Sequence, residues 1–355
     1  RNLGPGVASG STQNLLRVSK AINFDPETDS ELGIKVTDLN LSSNGTRTVS
    51  FRGRAEGILP GAYRALGQVN SKFNLVETNL LNNNALSASN VSVNVNTLPL
   101  GQIRQETDLE TNEISYHKLT TTQGLDLKIT FTGAQAFASF GKVPTYSVAD
   151  FRPRKTGFTT NFVIPSTQAG DYYIGLTPEN LGGNLTTEIL VLAKSFGVET
   201  VSPSLVGAGK VSTYISGAGF DGGTIFEAFR GTTLIATGTI LEISNSMEAR
   251  VKWDFTGQAD GPCTIKVRKD GVTGASTGSL VLEPIRLPRL LSERTGKDKV
   301  RGNGAILQII RYFNDGNVDI EYGMGLTSFP GFATAKSIST SEGSFLLGDI
   351  HSMAG

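Results

Sequence analysis

Val201–Gly223 reads VSPSLVGAGKVSTYISGAGFDGG. A Ser-Pro turn comes first, then a break at VGAG, then the alternating run KVSTYIS and a second glycine-rich turn, GAGFDGG. Apolar and polar side chains alternate with a period of two, and glycine and proline stand only at the ends, which predicts a half-buried strand and not a helix. Downstream follow TIFEAFRG, TTLIATGTILEIS, MEARVKWDFTG and PCTIKVRKDG, each short and bounded by Gly, Asp or Pro. About seven such strands in fewer than ninety residues predict one antiparallel sandwich. Trp253 and Phe255 alternate with Lys252 and Asp254, so both aromatics are expected in its core. The same rhythm runs on either side. The chain therefore reads as a row of all-β units with almost no helix, divided at 1–98, 99–196, 197–284 and 285–355.

Composition narrows the function. The 355 residues carry 42 glycines, with 32 basic side chains balanced by 32 acidic ones. A net charge of zero argues against nucleic acid, which requires a concentrated positive field. The basic run RLPRLLSERTGKDKVR at 286–301 is interrupted by acids and reads as a solvated linker. No apolar run approaches the roughly twenty residues that span a bilayer, so no membrane insertion is expected. Cys263, the single cysteine, alternates with Ile265 and Val267 as a buried strand residue and leaves no disulfide within the chain. The opening at Arg1, without an initiator Met or signal peptide, suggests a piece of a longer polypeptide.

Groups for chemistry are sparse, and no catalytic or cofactor-binding residue is assigned. His117, in ISYHKLT, is expected to point outward from a strand, and His351 lies far away in sequence. Two separated histidines make a histidine metal cluster or a Ser-His-Asp site a poor reading. The acidic loop DPETDSE brings Asp25, Glu27, Asp29 and Glu31 together as a weak Ca²⁺ candidate, but Ser30 and Val36 stand where an EF-hand needs glycine and glutamate. Asp108, Glu110 and Glu113 are a second weak group. Asn40, Asn44, Asn90 and Asn184 begin N-x-Ser/Thr sequons, with Asn44 the best acceptor because NGT falls in a turn that leaves its amide free.

Elsewhere the residues carry family resemblances. The RNLG opening, ASGS, LPGAY and NLVETNLLNNN, over residues 1–95, resemble the CARDB family, a cell-adhesion-related sandwich of bacterial surface and secreted proteins. FGKVPTYSVADFRPR, VIP and AGDYYIGL resemble the bacterial pre-peptidase C-terminal (PPC) domain, an accessory jelly-roll-like module, some of whose relatives bind calcium or carbohydrate. VSPS, ISGAGF and VKWDFTGQADGPCTIKV resemble the immunoglobulin-like IPT/TIG fold. RYFNDGNVDIEY is similar to a segment that opens a further immunoglobulin-like module in tandem surface proteins; it is read as a strand, a DGN turn and a second strand. The CARDB resemblance implies an opening strand upstream of Arg1. A neighbour should therefore be missing beside ASGSTQNLLRVSK, to be supplied by preceding polypeptide or donated by another chain in a head-to-tail filament.

These readings converge on a non-catalytic structural or adhesive segment of a large extracellular or cell-surface protein, with neighbouring domains of one polypeptide as its first partners. The alternatives are an accessory region of an exported enzyme or repeat-containing toxin-like protein, and a module that binds surface glycans or proteins. A glycan module would be marked by an exposed coplanar aromatic pair over a shallow groove.

Overall fold

The computed structural model describes residues 1–21, 25, 29–53, 55–77, 79–106, 114–145, 147–153, 161–178, 187–296 and 308–319. Among these, every regular element is a strand. The first four are β1 (Ala8–Ser19), β2 (Ser30–Leu41), β3 (Gly61–Gln68) and β4 (Asn84–Val93), which form one antiparallel sheet in the order β2-β1-β3-β4. Its core is small: Val18, Ile58 and Tyr63 cluster together, with Leu32 and Val93 against them.

β1 has strand neighbours on both sides only over its second half. It is an inner strand, paired with β2 from Ala8 to Val18 and with β3 from Leu15 to Ser19. Beside its first half lies the loop that joins β3 to β4. There Ser71 donates its backbone N–H to the Gln13 carbonyl at 2.7 Å. A side chain at Gly10 would come within 2.5 Å of Leu75. The chain's own loop thus covers part of the flank where a further strand is expected. TRTVSFRGR alternates polar and apolar side chains as a strand would, yet residues 46–53 join no ladder. They run back along β2, where the Lys35 ammonium reaches the Ser50 carbonyl at 2.9 Å.

The second group contains β5 (Asn96–Thr97), β6 (Ile103–Glu106), β7 (Ser115–Thr121), β8 (Asp126–Thr132), β9 (Ala134–Phe140), β10 (Asn161–Ile164), β11 (Gly170–Pro178) and β12 (Thr187–Lys194). Two sheets, β10-β8-β12-β6 and β5-β7-β11-β9, enclose a core that includes Leu119, Ile129, Ile164, Tyr172, Ile174 and Val191. Asn96, Thr97 and Leu98, which the sequence reading places in the first unit, pair and pack here, with Leu98 only 1 % exposed. NFVIPSTQAGDYYIGL looks like a hairpin but is not one. β10 and β11 belong to opposite sheets, so Pro165–Ala169 arches across the sandwich. Thr167 fixes the arch: its hydroxyl accepts from the Leu125 amide at 3.0 Å and donates to the Thr122 carbonyl at 2.7 Å.

Val201–Gly223 lies in the third group. This comprises β13 (Gly197–Ser202), β14 (Leu205–Gly207), β15 (Lys210–Ala218), β16 (Ile225–Arg230), β17 (Thr233–Thr237), β18 (Thr239–Asn245), β19 (Glu248–Asp254), β20 (Gly261–Lys269), β21 (Val272–Thr273), β22 (Ala275–Ser276) and β23 (Ser279–Glu283). The sheet order is β18-β19-β15-β13-β22 against β14-β23-β20-β16-β17, with β21 on β20. Along β15, Val211, Thr213, Ile215 and Gly217 are buried while Lys210 and Tyr214 are exposed, the period of two that the sequence shows. Trp253 and Phe255 stack in the core with ring centroids 5.7 Å apart, and the indole N–H donates to the Thr213 hydroxyl at 2.8 Å. The first two strands of this unit pair in parallel with two of its last: β13 with β22, and β14 with β23.

Two further strands complete the description. β24 (Leu290–Gly296) and β25 (Gln308–Asn314) form an antiparallel hairpin. The run read as a linker therefore contains a strand, and RYFN pairs backward with it. The second strand expected after the DGN turn lies mostly outside the described residues, which end at Asp319, and 317–319 are not in a strand.

Candidate functional site

The sequence-derived candidates disperse. Asp25 and Asp29 are tied into a local turn, in which the Asp29 carboxylate accepts from the Asp25 amide at 2.9 Å and the Asp29 amide donates to the Asp25 carbonyl at 2.9 Å. Glu31 sits in the β1–β2 ladder opposite Arg17. Glu27, Asp108, Glu110, Glu113, Asn184 and His351 lie outside the described residues. Among the described residues, no group of three or more His, Cys, Asp or Glu could hold a metal ion. Asn40, Asn44 and Asn90 are all exposed. The Asn44 amide is engaged, however, since its oxygen accepts from the Arg1 guanidinium at 3.0 Å.

His117 is the main reversal. It shares the phase of Leu119 and Thr121, and its side chain is fully buried. A Ser-His-acid grouping does form there, with Ser115 Oγ 3.5 Å and Glu106 Oε1 3.7 Å from the ring. Both approach the same nitrogen, Nε2, while Nδ1 is buried with no hydrogen-bond partner. A hydrolytic relay needs nucleophile and carboxylate on opposite ring nitrogens, so this grouping cannot pass a proton between them. Burial lowers the imidazole pKa below its ordinary value, Glu106 raises it in part, and Arg104 lowers it again. Cys263 is inert for a similar reason. It is 3 % exposed, and burial pushes its thiol pKa up, with Arg230 acting the other way. The coplanar aromatic pair that would mark a sugar platform exists as Trp253 and Phe255, but inside the core.

The most developed polar constellation joins the second and third units, and no local pattern in the sequence points to it. Asp126 opens β8 and is 6 % exposed. Its Oδ1 accepts from the Ser166 amide at 2.8 Å in its own unit and from the Ser246 hydroxyl across the joint. Its Oδ2 accepts from the Gly219 amide at 2.6 Å, also across the joint. Gly219 has φ +75°, and a side chain there would meet Phe196 at 2.8 Å, so this approach needs glycine. Beside it, Glu199 binds Lys128, and its other oxygen lies 3.6 Å from Lys194. Burial raises the Glu199 pKa, but hydrogen bonds and charge from the two lysines outweigh that and leave the carboxyl below its usual value.

A second joint follows the third unit. Asp319 takes the Ser212 amide at 3.0 Å and the Ser212 hydroxyl at 2.6 Å, and its own amide donates to the Lys210 carbonyl at 2.9 Å. Asn317 accepts the Gly207 amide on its carbonyl at 2.6 Å and donates from its side chain to the Pro284 carbonyl at 3.0 Å. These groups fasten the residues after β25 to the third unit; they do not surround a reacting atom.

Fold and joints together define an all-β chain of antiparallel sheets, with the third unit tied through polar contacts to the residues on either side of it. No protein-family model matches the chain, and no curated protein matches it. It is similar to a solved structure described as a biofilm associated protein BSP domain, at 12% identity and a TM-score of 0.24, over 78% of this chain and 60% of that one. The chain thus spans less than two thirds of that structure's length. A three-immunoglobulin-domain structure of titin I67–I69, an E-to-A mutated variant, is similar at 10% identity and a TM-score of 0.16, covering 78% of this chain and 91% of that one.

Proposed function

We propose that this chain is a non-catalytic structural or adhesive segment of a large extracellular or cell-surface protein, a spacer whose sandwich units are held in fixed relation. The supporting observation is the Asp126 joint, where one buried carboxylate takes donors from both units it connects. Such a contact restrains relative motion, whereas units on open linkers move independently. The CARDB-like, PPC-like and IPT/TIG-like stretches support the same reading, since modules of these kinds accompany exported proteins.

Time-resolved anisotropy of the intact chain tests the spacer reading, with a dye on the second unit and another on the third. Equal, slow rotational correlation times are expected. Independent fast tumbling of either unit would refute it, and turnover of peptidase, glycosidase or esterase substrates would refute the non-catalytic part.

A further inference from the structure

Residues 42–45, SSNG, make the turn that follows β2. Asn-Gly between alternating runs is a strong hairpin signal, and TRTVSFRG after it alternates as the second arm of a hairpin would. The arm is present but stands off. Gly53 packs against the Leu32 carbonyl and Ser50 lies by Lys35, so 46–53 runs antiparallel to β2. Yet no amide of 46–53 donates to the backbone of a described residue, and a space of about 380 Å³ lies between Lys35–Asp38 and Arg47–Val49. Ile34 and Val36 of β2 remain exposed.

The turn explains the gap. The Gly45 amide donates to the Ser42 carbonyl at 2.8 Å, and within 42–45 only Asn44 has a positive φ, +61°. That is the pattern of a type II turn, which splays the two arms it joins. The type I′ turn that suits a twisted hairpin needs left-handed backbone at two successive residues, here Asn44 and Gly45. Asn44 is already there, and glycine enters that region without steric cost, so one residue separates the two forms.

Asn2 holds that residue in place. Its amide donates to the Gly45 carbonyl at 2.9 Å, and its carbonyl accepts from the Asn44 amide at 2.8 Å. Its Nδ2 donates to the Leu41 and Ser42 carbonyls at 2.9 and 3.2 Å. Rotating Gly45 swings its carbonyl away from the Asn2 amide, so the grip and the type I′ turn exclude each other.

We propose that Asn2 is a latch that keeps the hairpin open. On its release the turn re-forms at Asn44–Gly45, and 46–53 zips onto β2 as a fifth, outer strand of the four-stranded first sheet, closing its edge. The device goes beyond the spacer reading and does not rest on it, because it lies within the first unit.

Hydrogen exchange of the intact chain, followed by mass spectrometry, is the test. In the wild type the amides of 46–53 should exchange fast. Asn2→Pro, which removes both the amide donor and the carboxamide, should slow them about tenfold. Ser43→Pro separates a latch from a general effect. Proline suits the second position of a type II turn, but in the closed form Ser43 and Thr46 form the pair that exchanges both backbone bonds, which needs the Ser43 N–H. Adding it to Asn2→Pro should therefore restore fast exchange. The latch is overturned if 46–53 is already slow in the wild type, if Asn2→Pro leaves it fast, or if the double variant stays slow. Amides of Leu15–Ser19, in the part of β1 paired on both sides, report the first sheet itself. Their loss of protection in Asn2→Pro would also overturn it, showing that Asn2 holds the sheet and not the arm. None of these outcomes bears on the anisotropy test, so the two readings fail separately.

Discussion

Replacing Asp126 with alanine should uncouple the second and third units. Three donors, the Ser166 amide, the Gly219 amide and the Ser246 hydroxyl, would lose their acceptor together. Hydrogen bonds to a charged group are worth about 1.5–3 kcal/mol each, and water entering the partly buried site would recover roughly half. A loss of about 3–4 kcal/mol remains, and two of the three bonds cross the joint. For a cooperative body of this size that lowers Tm by roughly 10 °C. Calorimetry of the intact chain is the assay. The wild type should melt residues 96–283 in one transition, which Asp126→Ala splits in two. Asp126→Asn keeps the shape but turns one acceptor into a donor facing a donor, so it should recover less than half of the loss. A single transition for Asp126→Ala, moved by less than about 2 °C, would refute the joint as a source of coupling.

His117 makes stability depend on pH. Its folded pKa is lowered, so below about 6.5 the unfolded chain binds a proton that the buried ring resists. The contribution is complete above that pH and lost as pH falls through it. Urea midpoints should therefore drop between pH 7 and 5, and His117→Leu should flatten that slope; an equal slope in the variant would contradict the assignment. Trp253→Ala should destabilise the third unit by about 3–5 kcal/mol, measured by urea denaturation followed by circular dichroism. Because Trp253 is the single tryptophan, wild-type fluorescence should be blue-shifted and turn red on unfolding. Cys263 should resist thiol reagents in the native state and react in denaturant; fast native labelling would show that the third core opens readily.

Legibility followed the range of the interaction. The alternation of Val211, Thr213 and Ile215, of Trp253 and Phe255, and of Cys263, Ile265 and Val267 is written in neighbouring residues, and burial follows it. The phase of His117 was also available, because Leu119 stands two residues on and points inward. Treating histidine as a surface residue overrode that signal. The false hairpin at 161–178 shows a different limit. A short turn between two strands reads alike whether they pair or cross between sheets, and Thr167 decides the matter through partners more than forty residues away. TRTVSFRGR alternates as a strand should, yet alternation specifies a face and not a pairing partner. Asp126 is the extreme case: its acceptor role depends on groups 93 and 120 residues distant, and DLKITFT alone reads as an ordinary strand.

The parallel pairing of the third unit's opening strands with its closing ones sets how it would respond to tension. A pull along the chain enters at Gly197 and leaves at Glu283. Parallel strands drawn apart from the start of one and the end of the other must slide along each other, so the bonds between Leu205–Gly207 and Val281–Glu283 are strained together. In the hairpin of β24 and β25 the force enters at Leu290 and leaves at Asn314, which face each other as the terminal pair. Those bonds open one at a time, like a zip. Asn317 and Asp319 fasten the far end of the hairpin back to the third unit, so those contacts must part before the hairpin is loaded; it then opens with little resistance while the sandwich before it keeps its length.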